Sequence, residues 1–193
     1  GSKLYSYFIK DDLKYSGKEL RPHFIYRKTG KMGDGIISFI GECDVPLTHM
    51  VDIEDVLSNS PIYSKKMLHF IVEIFNIDLL EGVLLQRLLV VKAIEMIREN
   101  CPNIYIKRNG DDIFINDKKA SVSIASKSLT SILIHFAINI VSEGAIIKVG
   151  SLIDDTCISN YEEFAKKLML SYIDEIEDIK LSTTKVLGVY NEE

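Results

Sequence analysis

Asp112, Lys119, Ser121, Ser123 and His135 lie within 24 consecutive residues of this chain and are the residue types from which a small ligand site is built. A lysine can hold a carboxylate or phosphate as a fixed cation. A histidine exchanges protons near neutral pH. An aspartate orients the lysine or binds magnesium, and serines leave room for a ligand. Whether these groups meet depends on strand phase. From 119 to 125 the alternation puts Lys119, Ser121, Ser123 and Ala125 on one face, and Ala120, Val122 and Ile124 on the other. From 131 to 139, Ser131, Leu133, His135, Ala137 and Asn139 oppose Ile132, Ile134, Phe136 and Ile138. With 126–130 as the loop, Ser121 falls opposite His135. A turn at Asn116-Asp117 sets Lys119 opposite Phe114 and Ser121 opposite Asp112. The expected site therefore has Lys119 and His135 as catalytic groups and Asp112, Ser121 and Ser123 as binding groups. A plain amphipathic sheet with one wet face explains the alternation equally well; the smallness of the polar residues is what favours a ligand.

The remaining elements must hold that patch. Leu4–Ile9, Phe24–Lys28, Ile36–Gly41 and Lys66–Phe75 read as strands, the last with Met67, His69, Ile71 and Glu73 on one side. That phase makes His69 and Glu73 a candidate pair, whose ordinary explanation is a surface ion pair. Asp78–Asn100 reads as a helix, apolar around most of its girth and stopped by Pro102, with Arg87 as a snorkelling side chain or a buried counter-charge. Asn109-Gly110 signals a hairpin. Ala145–Val149 reads as a strand, Asn160–Ile179 as a second helix, and Thr183–Tyr190 as a closing strand. The expected fold is α+β, a largely antiparallel sheet with both helices on its apolar side and the polar side left open for the site. Repeats and linkers are lacking, so one domain over 1–193 is expected.

The segment Asp111-Asp112-Ile113-Phe114-Ile115-Asn116-Asp117-Lys118-Lys119-Ala120-Ser121 resembles the central motif of the biotin and lipoate protein ligases. That superfamily is related to the catalytic domain of class II aminoacyl-tRNA synthetases. In it the motif lysine contacts the acyl carboxylate and the adenylate phosphate; Lys119 is its match, and Asp112 matches the motif aspartate. Gly41-Glu42-Cys43-Asp44-Val45, Met50 to Asp55, Met67-Leu68-His69-Phe70 and Ser121 to Ala125 resemble blocks of an uncharacterised archaeal family with this ligase-like fold. The resemblance implies a small carboxylic acid or nucleotide as ligand, with ATP and magnesium as cofactors. Two departures stand out. Asp111 takes the place of an asparagine, and the only glycine loop, Gly30 to Gly35, carries Asp34, which would repel a phosphate. Gly33, Gly35 and Asp44 are the further candidate ligand contacts. A binding protein without catalysis, or a structural subunit, remains the alternative function.

The chain's 193 residues are 47% hydrophobic and 26% charged, with a net charge of −5, an ordinary globular composition without a basic stripe. This argues against nucleic acid as a partner. No apolar run is long enough to span a bilayer, no signal peptide is evident, and Gly1-Ser2 reads as a tag remnant. Cys43, Cys101 and Cys157 lack paired spacing, so reduced thiols in a cytoplasm are expected. Cys43, Asp44, His49, Asp52 and Glu54 mix soft and hard ligands without zinc-site spacing, so no metal is assigned. The oligomeric state stays open, a homodimer included.

Overall fold

The computed structural model describes residues 3–190; Gly1 and Ser2 lie outside them. In chain order the elements are β1 (Tyr5–Phe8), α1 (Phe24–Thr29), β2 (Gly35–Val45), a 3-10 turn (Leu47–His49), α2 (Ile53–Leu57), β3 (Ile62–Phe75), α3 (Leu79–Asn100), β4 (Ile106–Asn109), β5 (Asp112–Ile115), β6 (Lys118–Lys119), β7 (Ser121–Lys127), β8 (Ser131–Asn139), α4 (Leu152–Asp155) and α5 (Tyr161–Ser182). Five strands form one sheet in the order β1-β2-β3-β8-β7, and β4-β5-β6 form a second. Among the named strands only the β1–β2 pairing is parallel, and Tyr15 adds a parallel bridge to Cys43. This is the expected α+β architecture with a largely antiparallel, mixed sheet.

The two long helices form because their ends are capped and one stripe of each is apolar. The Asp78 side chain accepts the Glu81 amide and that of Asn160 the Glu163 amide. α3 buries Leu89, Val90, Ala93, Ile94 and Ile97, while α5 buries Phe164, Leu168, Met169, Tyr172 and Ile176. These residues pack on Leu68, Phe70 and Val72 of β3 and Ile134, Phe136 and Ile138 of β8. Burying each such side chain stabilises the fold by about 1.5–3 kcal/mol.

The opposite face is not open. Residues 9–15 run alongside β2, the Leu13 amide bonding the Ile40 carbonyl and the Tyr15 amide that of Glu42. Tyr15, Phe24 and Ile25 then lie over Ile37, Phe39, Ile71 and Ala137 in a second apolar cluster. Covered on both sides, β8 is buried along its whole length. The polar side, expected to stay open for a site, is in fact a second core.

Three expected strands differ. Phe24–Thr29 is a helix: neighbouring Phe24 and Ile25 are both buried, which one-sided strand burial would forbid, and Gly30 ends it in the left-handed conformation with its amide on Tyr26. Residues 145–149 and 183–190 form no strand. Ile146, Ile147, Leu187 and Val189 are exposed, and β-branched residues without a half-buried sheet to fit carry no strand preference. The 109–112 hairpin turns one residue later than expected, Asn109 pairing with Asp112 around Gly110-Asp111.

Cysteine pairing also differs. Cys101 and Cys157 form a disulfide across 56 residues with Cα atoms 5.8 Å apart; Cys43 is free and buried. Their closeness arises from α3 ending beside the approach to α5, which sequence spacing does not encode. Among the described residues no helix is long and apolar enough to cross a membrane.

Candidate functional site

Asp112 and Lys119 do come together. The left-handed turn at Asn116 (φ 51°) and Asp117 (φ 61°) pairs Phe114 with Lys119, and Lys119 Nζ lies 3.4 Å from Asp112 Oδ1. Both side chains remain partly exposed. Acidic groups crowd this lysine. The Asp55 carboxyl is raised above its ordinary range, first by burial and then by Asp52, with Lys119 pulling it down and Asp112 and Asp111 pushing it up. Asp111 is likewise raised, by burial and then by Asp112, although the Arg87 charge and a hydrogen bond from Gln86 Nε2 (3.1 Å) oppose this. Arg87 thus acts on Asp111 as a nearby positive charge, while its buried Nε has no partner among the described residues.

The hairpin sits on a second support. Lys118 Nζ donates to Asp155 Oδ1 at 2.8 Å, Asn116 Nδ2 donates to the same oxygen at 3.1 Å, and the Gly150 amide donates to the Lys119 carbonyl at 2.9 Å. Burial works against the Asp155 charge; Lys118, the Ser151 amide and Asn116 outweigh it and hold the carboxyl below its usual range.

Ser121, Ser123 and His135 are not on that patch together. β7 continues to Lys127 and β8 begins at Ser131, so Ser121 pairs with Ile138 and Ile124 with His135. The pairing is an odd number of residues from the expected one, and an odd slip turns the whole strand over. Ser121 and Ser123 therefore face the helices. Ser121 Oγ accepts the Ile113 amide at 2.9 Å, and Ser123 Oγ accepts Gln86 Nε2 at 2.8 Å. Both serve packing.

His135 points into the second core. Its Nε2 is 3.0 Å from His69 Nδ1, and His69 Nε2 is 2.9 Å from the Gly41 carbonyl. A carbonyl only accepts, so His69 carries its proton on Nε2, its Nδ1 accepts, and His135 donates from Nε2. Tyr15 stacks on His135 with ring centroids 3.7 Å apart, and Phe39 stacks on His69 at 4.8 Å. Burial pushes His69 down to about 4, the Gly41 carbonyl pulling the other way. Burial, then the His69 charge, holds His135 well below its ordinary value. Two neutral, oriented imidazoles result. Glu73 does not join His69; it accepts Ser131 Oγ and, at 3.0 Å, the His23 amide.

Gly33, Gly35 and Asp44 serve other places. Gly35 pairs with Glu73 at the end of β3, whereas Lys119 precedes Ser121 at the other end of the sheet and three strands across, so glycine loop and lysine occupy opposite corners. A Cβ on Gly35 would lie 2.9 Å from the Tyr5 ring, and Gly33 turns at φ 94°. Asp34 accepts the Phe75 amide at 2.9 Å. Asp44 pairs with Lys14 at 3.5 Å. Of the residues weighed for metal, Cys43 is buried, His49 Nδ1 meets the Ser16 carbonyl at 2.8 Å and Asp52 caps α2. Among the described residues no three His, Cys, Asp or Glu side chains gather as ligands.

A family model described as a domain of unknown function (DUF366) matches residues 4–187. The chain belongs to the DUF366 family. A relative, the uncharacterised protein MJ0805 of Methanocaldococcus jannaschii, is 37% identical over 93% of this chain and 83% of that protein. A solved protein of unknown function from Pyrococcus horikoshi is 32% identical, covers 96% of this chain and 100% of its own, and superposes with a TM-score of 0.85. Ta0514, assigned as a lipoate protein ligase from T. acidophilum and solved with bound lipoic acid, is 13% identical over 90% of this chain and 86% of its own, with a TM-score of 0.57. Biotin protein ligases share the same fold. The DUF366 fold is thus that of the biotin and lipoate ligases.

Tyr15, stacked over the buried histidine pair, is the contact that sequence reading missed. The phase of β3 puts His69 beside Ile71, the partner of His135, but nothing local announces that residue 15 closes over them.

Proposed function

We propose that this DUF366 protein binds a small carboxylic acid of the lipoate or biotin kind, with Lys119 as the carboxylate's partner. The supporting observation is the Lys119–Asp112 pair. The lysine is partly exposed, fixed by a two-residue turn, and stands in a fold shared with a protein that holds lipoic acid. An incoming carboxylate would compete with Asp112 for a cation already positioned to receive it.

Binding is favoured over ligation. Adenylation would bring a triphosphate to a lysine already paired with Asp112 and within the field of Asp55, and the repulsion would have to be met by magnesium. The covered, neutral His135 also lies off the Lys119 patch, which speaks against its shuttling protons there. In this reading Lys119 and Asp112 form the ligand contact, and the Tyr15–His135–His69 stack sets the shape of the sheet beneath. A cytoplasmic location goes with it.

Calorimetry with lipoate, biotin and octanoate, each with and without ATP and magnesium, tests the proposal. At least one acid should bind, and Lys119→Ala should weaken it about ten- to a hundredfold, the worth of a charge-assisted hydrogen bond. Binding unchanged in Lys119→Ala, or no binding of any acid at millimolar concentration, sinks the reading. Pyrophosphate release with ATP would restore the ligase.

A further inference from the structure

We infer that the Cys101–Cys157 disulfide is a redox latch on the Lys119 hairpin, acting through Asp155; its effect on ligand binding rests on the reading of Lys119 above. Cys101 ends α3, its amide on the Ile97 carbonyl at 2.8 Å. Cys157 follows α4 by two residues. Between it and the hairpin lies one short strap, residues 150–158, fastened at both ends. At the near end the Gly150 amide holds the Lys119 carbonyl, and a Cβ on Gly150 would sit 3.0 Å from the Lys118 carbonyl and 3.1 Å from the Ala120 side chain. The backbones therefore lie in contact. Asp155 then ties Lys118 and Asn116, the residues that shape the turn before Lys119. At the far end the sulfur bridge joins the strap to α3.

The bridge is accessible to a reductant. Cys157 is exposed, and a groove of about 190 Å³ runs beside it, lined by Met96, Asn100, Ile158, Asn160 and Phe164. A dithiol can open it in a balanced exchange. One thiolate attacks a bridge sulfur to form a mixed disulfide, the second thiol closes on the first, and Cys101 and Cys157 leave as thiols. Two electrons and two protons pass to the protein, and the dithiol becomes a cyclic disulfide. With the bridge open, Leu152 and Ile158 still seat the strap in the core and the Ile153 amide still holds the Ile140 carbonyl, but the 155–157 stretch between them is released from α3, and the Asp155 grip on Lys118 and Asn116 weakens. The latch would make ligand holding depend on the thiol–disulfide balance around the protein.

Hydrogen exchange on the whole protein, oxidised and after dithiothreitol, provides the test. Reduction should speed exchange of amides in 113–120 about fivefold, the size expected for losing a partly buried ion pair from a local opening. In the oxidised protein, Asp155→Asn and, from the hairpin side, Lys118→Gln should each produce the same change and remove the response to dithiothreitol. Lipoate binding, read in parallel by calorimetry, should fall about fivefold on reduction. Faster exchange with no lipoate binding in either state keeps the latch and removes the ligand reading. Three free thiols before any reductant is added, or exchange changes confined to residues around 97–103 and 156–160, would overturn the latch.

Discussion

Between pH 6.5 and pH 5 the protein should lose about 3 kcal/mol of stability, seen as a fall of about 1–2 M in the urea midpoint. The loss is assigned to His69 and His135. In the unfolded chain each titrates near the ordinary imidazole value of about 6.5. In the fold, burial holds His69 down at about 4 and His135 well below 6.5. For a histidine with a depressed folded value, the unfolded state takes up protons first as the pH falls. Stability is therefore intact above about 6.5, declines through the window down to about 4, and levels off once the folded protein also binds the proton. Each histidine contributes a slope approaching about 1.4 kcal/mol per pH unit. The measured span stops at pH 5, above the ordinary carboxylate values of about 4, so Asp155, held low, adds its own loss only at lower pH. A midpoint that stays flat from pH 6.5 to 5 would show that the pair is solvated or already charged, contrary to its stacking under Tyr15 and Phe39.

How that pair arises shows where sequence was a good guide. Alternation in Lys66–Phe75 and Ser131–Asn139 announces both strands and which residues share a side, because side-chain period is a local property. The two long helices are legible for the same reason, in their caps and apolar stripes. The lysine hairpin is also local: an Asn-Asp turn that tolerates positive φ fixes the pairing of Lys119 with Phe114, and with it the meeting with Asp112. Pairing of β7 with β8 is different. It hangs on where the loop begins, and an odd error in loop length moved Ser121 and Ser123 from the imagined site to the helix-facing core.

What remained hidden depends on tertiary contact. Residues 9–29 look like a turn and a short strand, yet they bury the face that alternation alone leaves in water, bringing Tyr15 onto His135. The disulfide is hidden for the same reason: 56 residues separate its cysteines, and only the meeting of α3 with the strap before α5 brings them within bonding distance. The two segments read as strands at 145–149 and 183–190 have the composition but no neighbouring strand to complete them. The resemblance to the ligases gave the fold correctly, while the glycine loop, which lacks the motif's arginines, lies at a corner remote from Lys119.

Gly41→Ala should be among the most damaging single substitutions, costing about 3 kcal/mol or more. The reason is proximity. A Cβ at this position would lie 2.0 Å from the Leu13 carbonyl oxygen and 2.6 Å from its carbon, so backbone rather than a flexible side chain would have to move. Moving it pulls on the Leu13 amide, bonded to Ile40, and on the Tyr15 amide, bonded to Glu42. These bonds carry residues 9–15 along β2 and set the Tyr15 ring over His135. Gly41 has a second duty, since its carbonyl accepts His69 Nε2–H and so orients the whole imidazole chain. Gly30→Ala is the matched control. Gly30 has nothing within 4 Å of an added Cβ and only a left-handed φ of 73° to strain, which should cost about 1 kcal/mol. Urea unfolding of the two variants at pH 7.5 separates the cases. A Gly41→Ala protein within about 1 kcal/mol of the parent would mean that residues 9–15 are loosely attached, and the cover over His135 would have to be withdrawn with them. If instead Gly41→Ala folds but is destabilised as expected, loosening of Tyr15 should let water reach His135, and its imidazole should titrate nearer to 6.5 in NMR than in the parent.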